Sequence, residues 1–175
     1  LKNITINTTC LSAILTSILT FRMAIFPDIN QQAIFLSRSD SSEPLSSFAY
    51  SPFKLDDAIW PSVEHYFQAM KFIDPKQQAK IRQAKNPTQA RKAGRSRLKK
   101  IRADWKTTKQ AFMTRAIYTK CRAYPEIAQQ LIDSHPNQII ENSQYDYFWG
   151  CGRDRRGQNY YGKILMAVRD KLMSE

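Results

Sequence analysis

The sequence predicts an α+β domain, mainly helical, with a small sheet. Three observations carry that expectation. Several stretches open with helix-start residues and continue for helical lengths. Strand-like runs are few, short and non-alternating. No strand–helix–strand alternation and no internal repeat runs through the chain. The length, 175 residues, is that of one domain. Hydrophobic residues make up 42% and aromatic residues 11%, which excludes collagen-like, disulfide-scaffold and wholly disordered classes.

The elements follow in order. Residues 32–37 read as a short strand, and 38–47 as a Ser-rich polar loop. Phe53-Lys54-Leu55 and Ala58-Ile59-Trp60 flank Asp56-Asp57, a hairpin pattern. Pro61 and Ser62 open a helix to about residue 72, with Ser62 as N-cap. Asp74-Pro75 starts a second helix, to about 85. Asn86-Pro87 starts a third, over 88–101. Asp104 caps a long helix over 105–124, and Pro125 restarts a short one through Ser134. Ile139-Ile140-Glu141 is a strand, 142–160 a loop rich in Gly, Asp and aromatics, and 161–173 the closing helix.

The first residues are unlike the rest. Residues 8–26 are mostly apolar, but Arg22 interrupts them before a membrane span is reached. Met23 reads as the native start, with 1–22 an extension outside the fold and 31–175 the domain. The competing readings are a genuine tail and a signal or anchor with Lys2 as a thin basic lead.

The formal net charge is +12, and it is concentrated. Between Lys71 and Arg122 stand 17 basic residues against Asp74 and Asp104 alone. Such a field implies a phosphate-bearing partner, either a small molecule or a nucleic acid. Cys10, Cys121 and Cys151 are an odd set without CxxC spacing, which points to a reducing compartment and the cytoplasm. His65 and His135 are too few and too separated for a zinc site, so neither metal nor cofactor is expected.

Three segments carry candidate chemistry. On the first helix, Glu64, Gln68 and Lys71 share one face, while Val63, Phe67 and Met70 form an apolar stripe. The same pattern also fits a solvated, salt-bridged surface helix. His65 reads as a core hydrogen-bonding group rather than a base. Tyr145 to Gly152 place Asp146 among four aromatics beside a permissive backbone, with Gly157, Asn159 and Gly162 close behind. Trp149 or a neighbour suits stacking on a flat base, although core packing explains the same residues. In the basic stretch Arg91, Arg95, Lys99 and Arg102 fall on one helical face, either plainly solvated, phosphate-binding or a nucleic-acid footprint.

Together these pieces resemble the YbiA-like, or NADAR, family. The likeness rests on Trp60 to Ala69 with Lys71-Phe72, close to the family's WPTSEHYFQAQKF. It continues through Ala90-Arg91, Gly94-Arg95, Asp104-Trp105, Asp146, Trp149-Gly150 and Gly152. Gly157, Asn159, Gly162, Leu165-Met166 and Arg169 complete it. Ser47 stands where the family has Asn, and Cys151 where it has Asp. The resemblance implies the YbiA-like fold and an N-glycosidase. Its substrates would be phosphoribosylamino-pyrimidines of early riboflavin biosynthesis, cleaved to release ribose 5-phosphate. Other family members remove ADP-ribose from guanine in nucleic acid. A non-catalytic nucleic-acid or ADP-ribose module is the third reading.

For a glycosidase the residues take roles. Glu64 would oppose the positive charge that develops on the ribosyl C1 and ring oxygen. Asp146 would act as partner base or ribose anchor, and Lys71 as donor to phosphate or leaving group. Trp149, with Phe48 or Trp60, would sandwich the base. Arg95 would bind phosphate; Gln68, Gly152 and Asn159 complete the substrate contacts.

Overall fold

The computed structural model describes residues 32–96 and 99–175. The expected extension over 1–22 lies outside them. The described chain is α+β, with elements β1 (Ile34–Leu36), β2 (Phe53–Leu55), β3 (Ala58–Trp60), α1 (Val63–Ala69), α2 (Pro75–Arg82), α3 (Pro87–Gly94), α4 (Trp105–Ala123), α5 (Pro125–Asp133), β4 (Ile139–Glu141) and α6 (Tyr160–Met173). The strands form two two-stranded sheets rather than one. β1 pairs in parallel with β4, Leu36 opposite Glu141, and β2 pairs antiparallel with β3, Phe53 opposite Trp60. Asp56 and Asp57 both take positive φ, the backbone a tight two-residue hairpin turn requires.

The cap residues act as their chemistry dictates. Ser62, Asp74 and Asn86 each accept a main-chain N–H at the start of α1, α2 and α3. Asp104 stands at the start of α4 but does not cap it; its carboxylate pairs with Arg102 Nε at 2.6 Å. α1 ends three residues early, at Ala69. α3 ends at Gly94 rather than running to 101. A Cβ at Gly94 would fall onto the Gln68 side chain, so a glycine is what lets α1 pass this close to the last turn of α3. The expected basic helical stripe therefore breaks up: Arg91 points inward, while Arg102 lies beyond the helix and salt-bridges to Asp104.

α1 is the centre of the fold. Every one of its seven residues is buried, among them the core side chains Val63, Tyr66 and Phe67. α2, α3 and α4 pack around it, and α6 joins α4, α5 and β4 to close the far side. This excludes the solvated-surface reading of α1. A helix buried on all sides that still carries Glu64, His65 and Gln68 must supply each of them with partners. Among the described residues no helix is long and apolar enough to cross a membrane.

Candidate active site

The start of α1 is locked by its own side chains. Ser62 Oγ lies 2.8 Å from His65 Nδ1, and His65 Nε2 lies 3.1 Å from the Ala84 carbonyl. A carbonyl only accepts, so Nε2 carries the proton and Nδ1 accepts from Ser62. Burial holds the imidazole below its ordinary range, and the neutral ring is spent on structure.

One turn holds Glu64, which is fully buried. Its Oε1 accepts from Gln68 Nε2 at 2.7 Å and Arg91 Nε at 2.8 Å. Its Oε2 lies 3.3 Å from Arg38 Nη1 and 3.0 Å from Ser47 Oγ. Burial by itself raises a carboxyl's pKa. Here the Arg38 guanidinium, with the Arg91 and Gln68 hydrogen bonds, outweighs it and holds Glu64 below the usual carboxylate range. The loop bearing Ser47 is pinned from beneath: buried Lys120 donates to the carbonyls of Pro44 (2.6 Å) and Ser46 (3.0 Å). Tyr161 adds a 2.8 Å bond to the Leu45 carbonyl.

Arg38 joins this cluster to the aromatic loop. Its Nη2 lies 3.3 Å from Asp146 Oδ2, and its guanidinium carbon 5.8 Å from the Trp149 ring centroid. Asp146 Oδ1 accepts from the main-chain N–H of Phe148 (3.1 Å) and Trp149 (2.8 Å), which shapes the turn. The Asp146 side chain keeps 29% of its exposure, so it is the carboxylate that solvent and solutes reach. A third carboxylate, Glu141, receives the Arg38 main-chain N–H at 3.2 Å and that of Ser143 at 3.3 Å. Burial pushes Glu141 up. A Cβ at Gly150 would fall onto its carboxylate, which explains a glycine after Trp149.

Cations rim the cluster. Lys71 Nζ lies 3.4 Å from the Gly94 carbonyl and about 6 Å from the Phe67 and Trp105 rings. Burial pulls its pKa down to about 8, opposed by Glu64 and reinforced by the like charges of Arg95, Arg38 and Arg91. Arg91 stacks its guanidinium 4.1 Å from the Phe48 ring centroid. Arg95, at the end of α3, is exposed. Lys109 Nζ sits 3.1 Å from the Phe148 ring centroid and 5.9 Å from that of Trp149.

The structure thus brings together Glu64, Gln68, Asp146, Phe48 and Trp149, with Lys71 and Arg95 at the edge. Others it places elsewhere. Trp60 is a core residue: its indole N–H donates to the Leu55 carbonyl at 2.9 Å, and its ring meets Tyr66 edge-on. Asn159 is engaged at both ends of its amide in holding β4. Its Oδ1 accepts from Glu141 N and its Nδ2 donates to the Ile139 carbonyl, both at 2.9 Å. Gly152 serves the loop, at φ 69° beneath the Tyr147 ring. Phe48 and Trp149 form no open sandwich, since Arg91 covers the first ring and the edges of Phe67 and Phe148 enclose the second. Cys151 is a partly buried thiol whose pKa burial raises, the opposite of what reactivity needs.

Sequence reasoning missed Arg38, Glu141, Lys109 and the inward turn of Arg91. Among the described residues no three His, Cys, Asp or Glu side chains converge as a metal site would require. A 450 Å³ apolar concavity between α4 and α6, bordered by Ala111, Tyr118 and Val168, contains none of the site residues.

Comparison with known proteins fixes the family. The NADAR domain model matches residues 34–173. The chain belongs to the NADAR family. N-glycosidase YbiA of Escherichia coli strain K12 is 37% identical over 141 residues, 81% of this chain and 88% of that protein. N-glycosidase Npun_R5314 of Nostoc punctiforme is 35% identical over 130 residues, 73% of this chain and 83% of that one. The chloroplastic riboflavin biosynthesis protein PYRR of Zea mays is 39% identical over 128 residues, 67% of this chain but 20% of that protein. The NMR structure of E. coli YbiA superposes on this NADAR domain with a TM-score of 0.74 at 33% identity, covering 87% of this chain and 91% of that one.

Proposed function

We propose that this NADAR protein is an N-glycosidase that hydrolyses the N-ribosyl bond of phosphoribosylamino-pyrimidines in the cytoplasm, releasing ribose 5-phosphate. The observation that carries the reading is the ionised, fully buried Glu64, joined through Arg38 to the accessible Asp146. The names of the relatives, N-glycosidase and riboflavin biosynthesis protein, support the substrate class.

As the C1–N bond breaks, its electron pair leaves with the amine nitrogen and positive charge gathers on C1 and the ring oxygen. Glu64 is the negative group that answers this charge. Asp146, being reachable, accepts a proton from the attacking water as its oxygen bonds to C1. The amine nitrogen gains one proton in turn. Lys71, with a pKa of about 8, is charged at neutral pH and available to phosphate or the leaving group. The rim of Arg91, Arg95 and Lys71 suits the 5-phosphate.

A second substrate of the same chemistry, ADP-ribosylated guanine in DNA, is favoured by the basic segment alone. Incubating the protein separately with phosphoribosylamino-pyrimidine and with ADP-ribosylated DNA decides between them. Free aminopyrimidine with ribose 5-phosphate from the first, and no ADP-ribose from the second, is the expected result. Release from the DNA alone replaces the substrate assignment. Release from neither, with salt-sensitive binding of nucleic acid, leaves the non-catalytic module.

A further inference from the structure

Glu64 is covered as it stands. A carboxylate offers about four lone-pair directions; Gln68, Arg91 and Arg38 donate into three, and Ser47 Oγ, whose one proton is shared between Glu64 Oε2 and the Arg38 carbonyl, each 3.0 Å away, stands over the fourth. For a ribosyl C1 to meet this oxygen pair, one donor must leave, and the four are not equally held. Ser47 is fully buried in the loop that Lys120 pins. Gln68 belongs to the same buried helix as Glu64. Arg38 is bound to Asp146 by its side chain and to Glu141 by its main chain. Arg91 is the outermost of the four. Its Nε contact with Glu64 is short, at 2.8 Å, but it is bound to no second carboxylate as Arg38 is, and its side chain is the more exposed of the two guanidiniums, 18% against 10%. It also hangs from an eight-residue helix that ends three residues later at Gly94.

The neighbourhood supplies a reason to move. Lys71 Nζ reaches the Gly94 carbonyl, beside Arg95 in the chain. Arg38, Lys71, Arg91, Arg95 and Lys109 gather around three carboxylates, Glu64, Asp146 and Glu141, leaving positive charge unanswered. A phosphate dianion is a stronger, bidentate partner for a guanidinium than a carboxylate already shared among four donors.

We propose that Arg91 is a latch on Glu64, and that the substrate's own phosphate releases it by drawing the guanidinium out toward Lys71 and Arg95. This rests on the glycosidase reading and deepens it. Phosphate binding then does more than anchor: part of its energy uncovers the carboxylate, so a ribosyl group lacking phosphate meets a covered site. The phosphate's effect falls on turnover as well as on KM.

The test uses the full chain with three reactions: the phosphoribosylamino-pyrimidine, its dephosphorylated riboside, and that riboside with inorganic phosphite. At saturation the riboside should turn over about 100-fold more slowly, and phosphite should recover about tenfold of the loss, because remote binding energy is being spent on the reacting centre. R91M should lose the phosphite response and shrink the ratio between the two substrates; R91K, a point charge, should keep part of both. Phosphite without effect on a wild type that hydrolyses the phosphorylated substrate overturns the latch, whether or not the variants fold. An R91M variant that slows both substrates by one common factor overturns it too, leaving Arg91 as a support for Glu64. No release of base from the phosphorylated substrate by the wild type removes the glycosidase reading first and the latch with it.

Discussion

Helix α1 and strand β4 each carry a glutamate into the interior, and the protein treats the two in opposite ways. Glu64 is 0% exposed and Glu141 2%. Burial pushes both toward the neutral acid. Glu64 meets two guanidiniums, an amide and a hydroxyl, and stays ionised below the usual range. Glu141 meets only two long main-chain N–H contacts, and its pKa stays raised. Depth therefore does not set protonation here; the charge of the partners does. One residue serves both, since Arg38 gives Glu64 its side chain and Glu141 its main chain.

Removing that shared residue is the largest expected perturbation. Arg38→Met leaves Glu64 with one guanidinium and Asp146 with none, and breaking a buried pair costs about 3–5 kcal/mol. The pH dependence has a definite sign. Glu64's folded pKa lies below its ordinary 4.5, so its contribution is full above that value and lost as pH falls through the folded one. The gap in thermal midpoint between wild type and variant should hold from pH 7 to about 4.5 and narrow on further acidification through the folded pKa. A gap of constant size would show that Arg38 acts by packing alone.

Next comes Glu64→Gln, which keeps the shape and removes the charge. Turnover of the phosphoribosylamino-pyrimidine should fall about 100-fold, a loss of roughly 3 kcal/mol of transition-state stabilisation. Single-turnover rates read this directly, and a rate within threefold of the parent would take Glu64 out of the mechanism. The thermal midpoint, measured alongside, separates lost chemistry from the loss of two arginine partners.

The contrast between the two glutamates was half legible in the sequence. Glu64 stood out because it shares a helical face with Gln68 and follows a recognisable N-cap, Ser62, and local chemistry of that kind survives folding. The Asp56-Asp57 turn and the Pro-started helices were readable for the same reason. Arg38 was not, because it sits in a Ser-rich loop with no periodicity and meets its carboxylates through tertiary contact. Arg91 was visible only as part of a basic stripe. What turns it inward is the close passage of Gln68 at Gly94, a contact between two helices that no local pattern encodes. Asn159 misled in the other direction: a polar residue in a glycine-rich loop suggests a ligand, yet both ends of its amide hold β4.

Glu141→Gln is the smallest and most discriminating change. The amide oxygen can accept one of the two main-chain N–H groups, but its NH2 cannot accept the other, so one buried donor is orphaned at about 1–3 kcal/mol. Against this, the wild type carries a cost the variant lacks. Glu141's folded pKa is raised above 4.5, so its contribution is full below that value and is lost as pH rises through the folded one. The variant's deficit should therefore be widest near pH 4 and shrink toward pH 7, the reverse of Arg38→Met. The two gaps in thermal midpoint should change on opposite sides of pH 4.5, that of Glu141→Gln shrinking as pH rises above it and that of Arg38→Met as pH falls below it. Parallel curves would mean that the two buried carboxylates share one electrostatic environment, and that the opposed shifts of Glu64 on α1 and Glu141 on β4 do not exist.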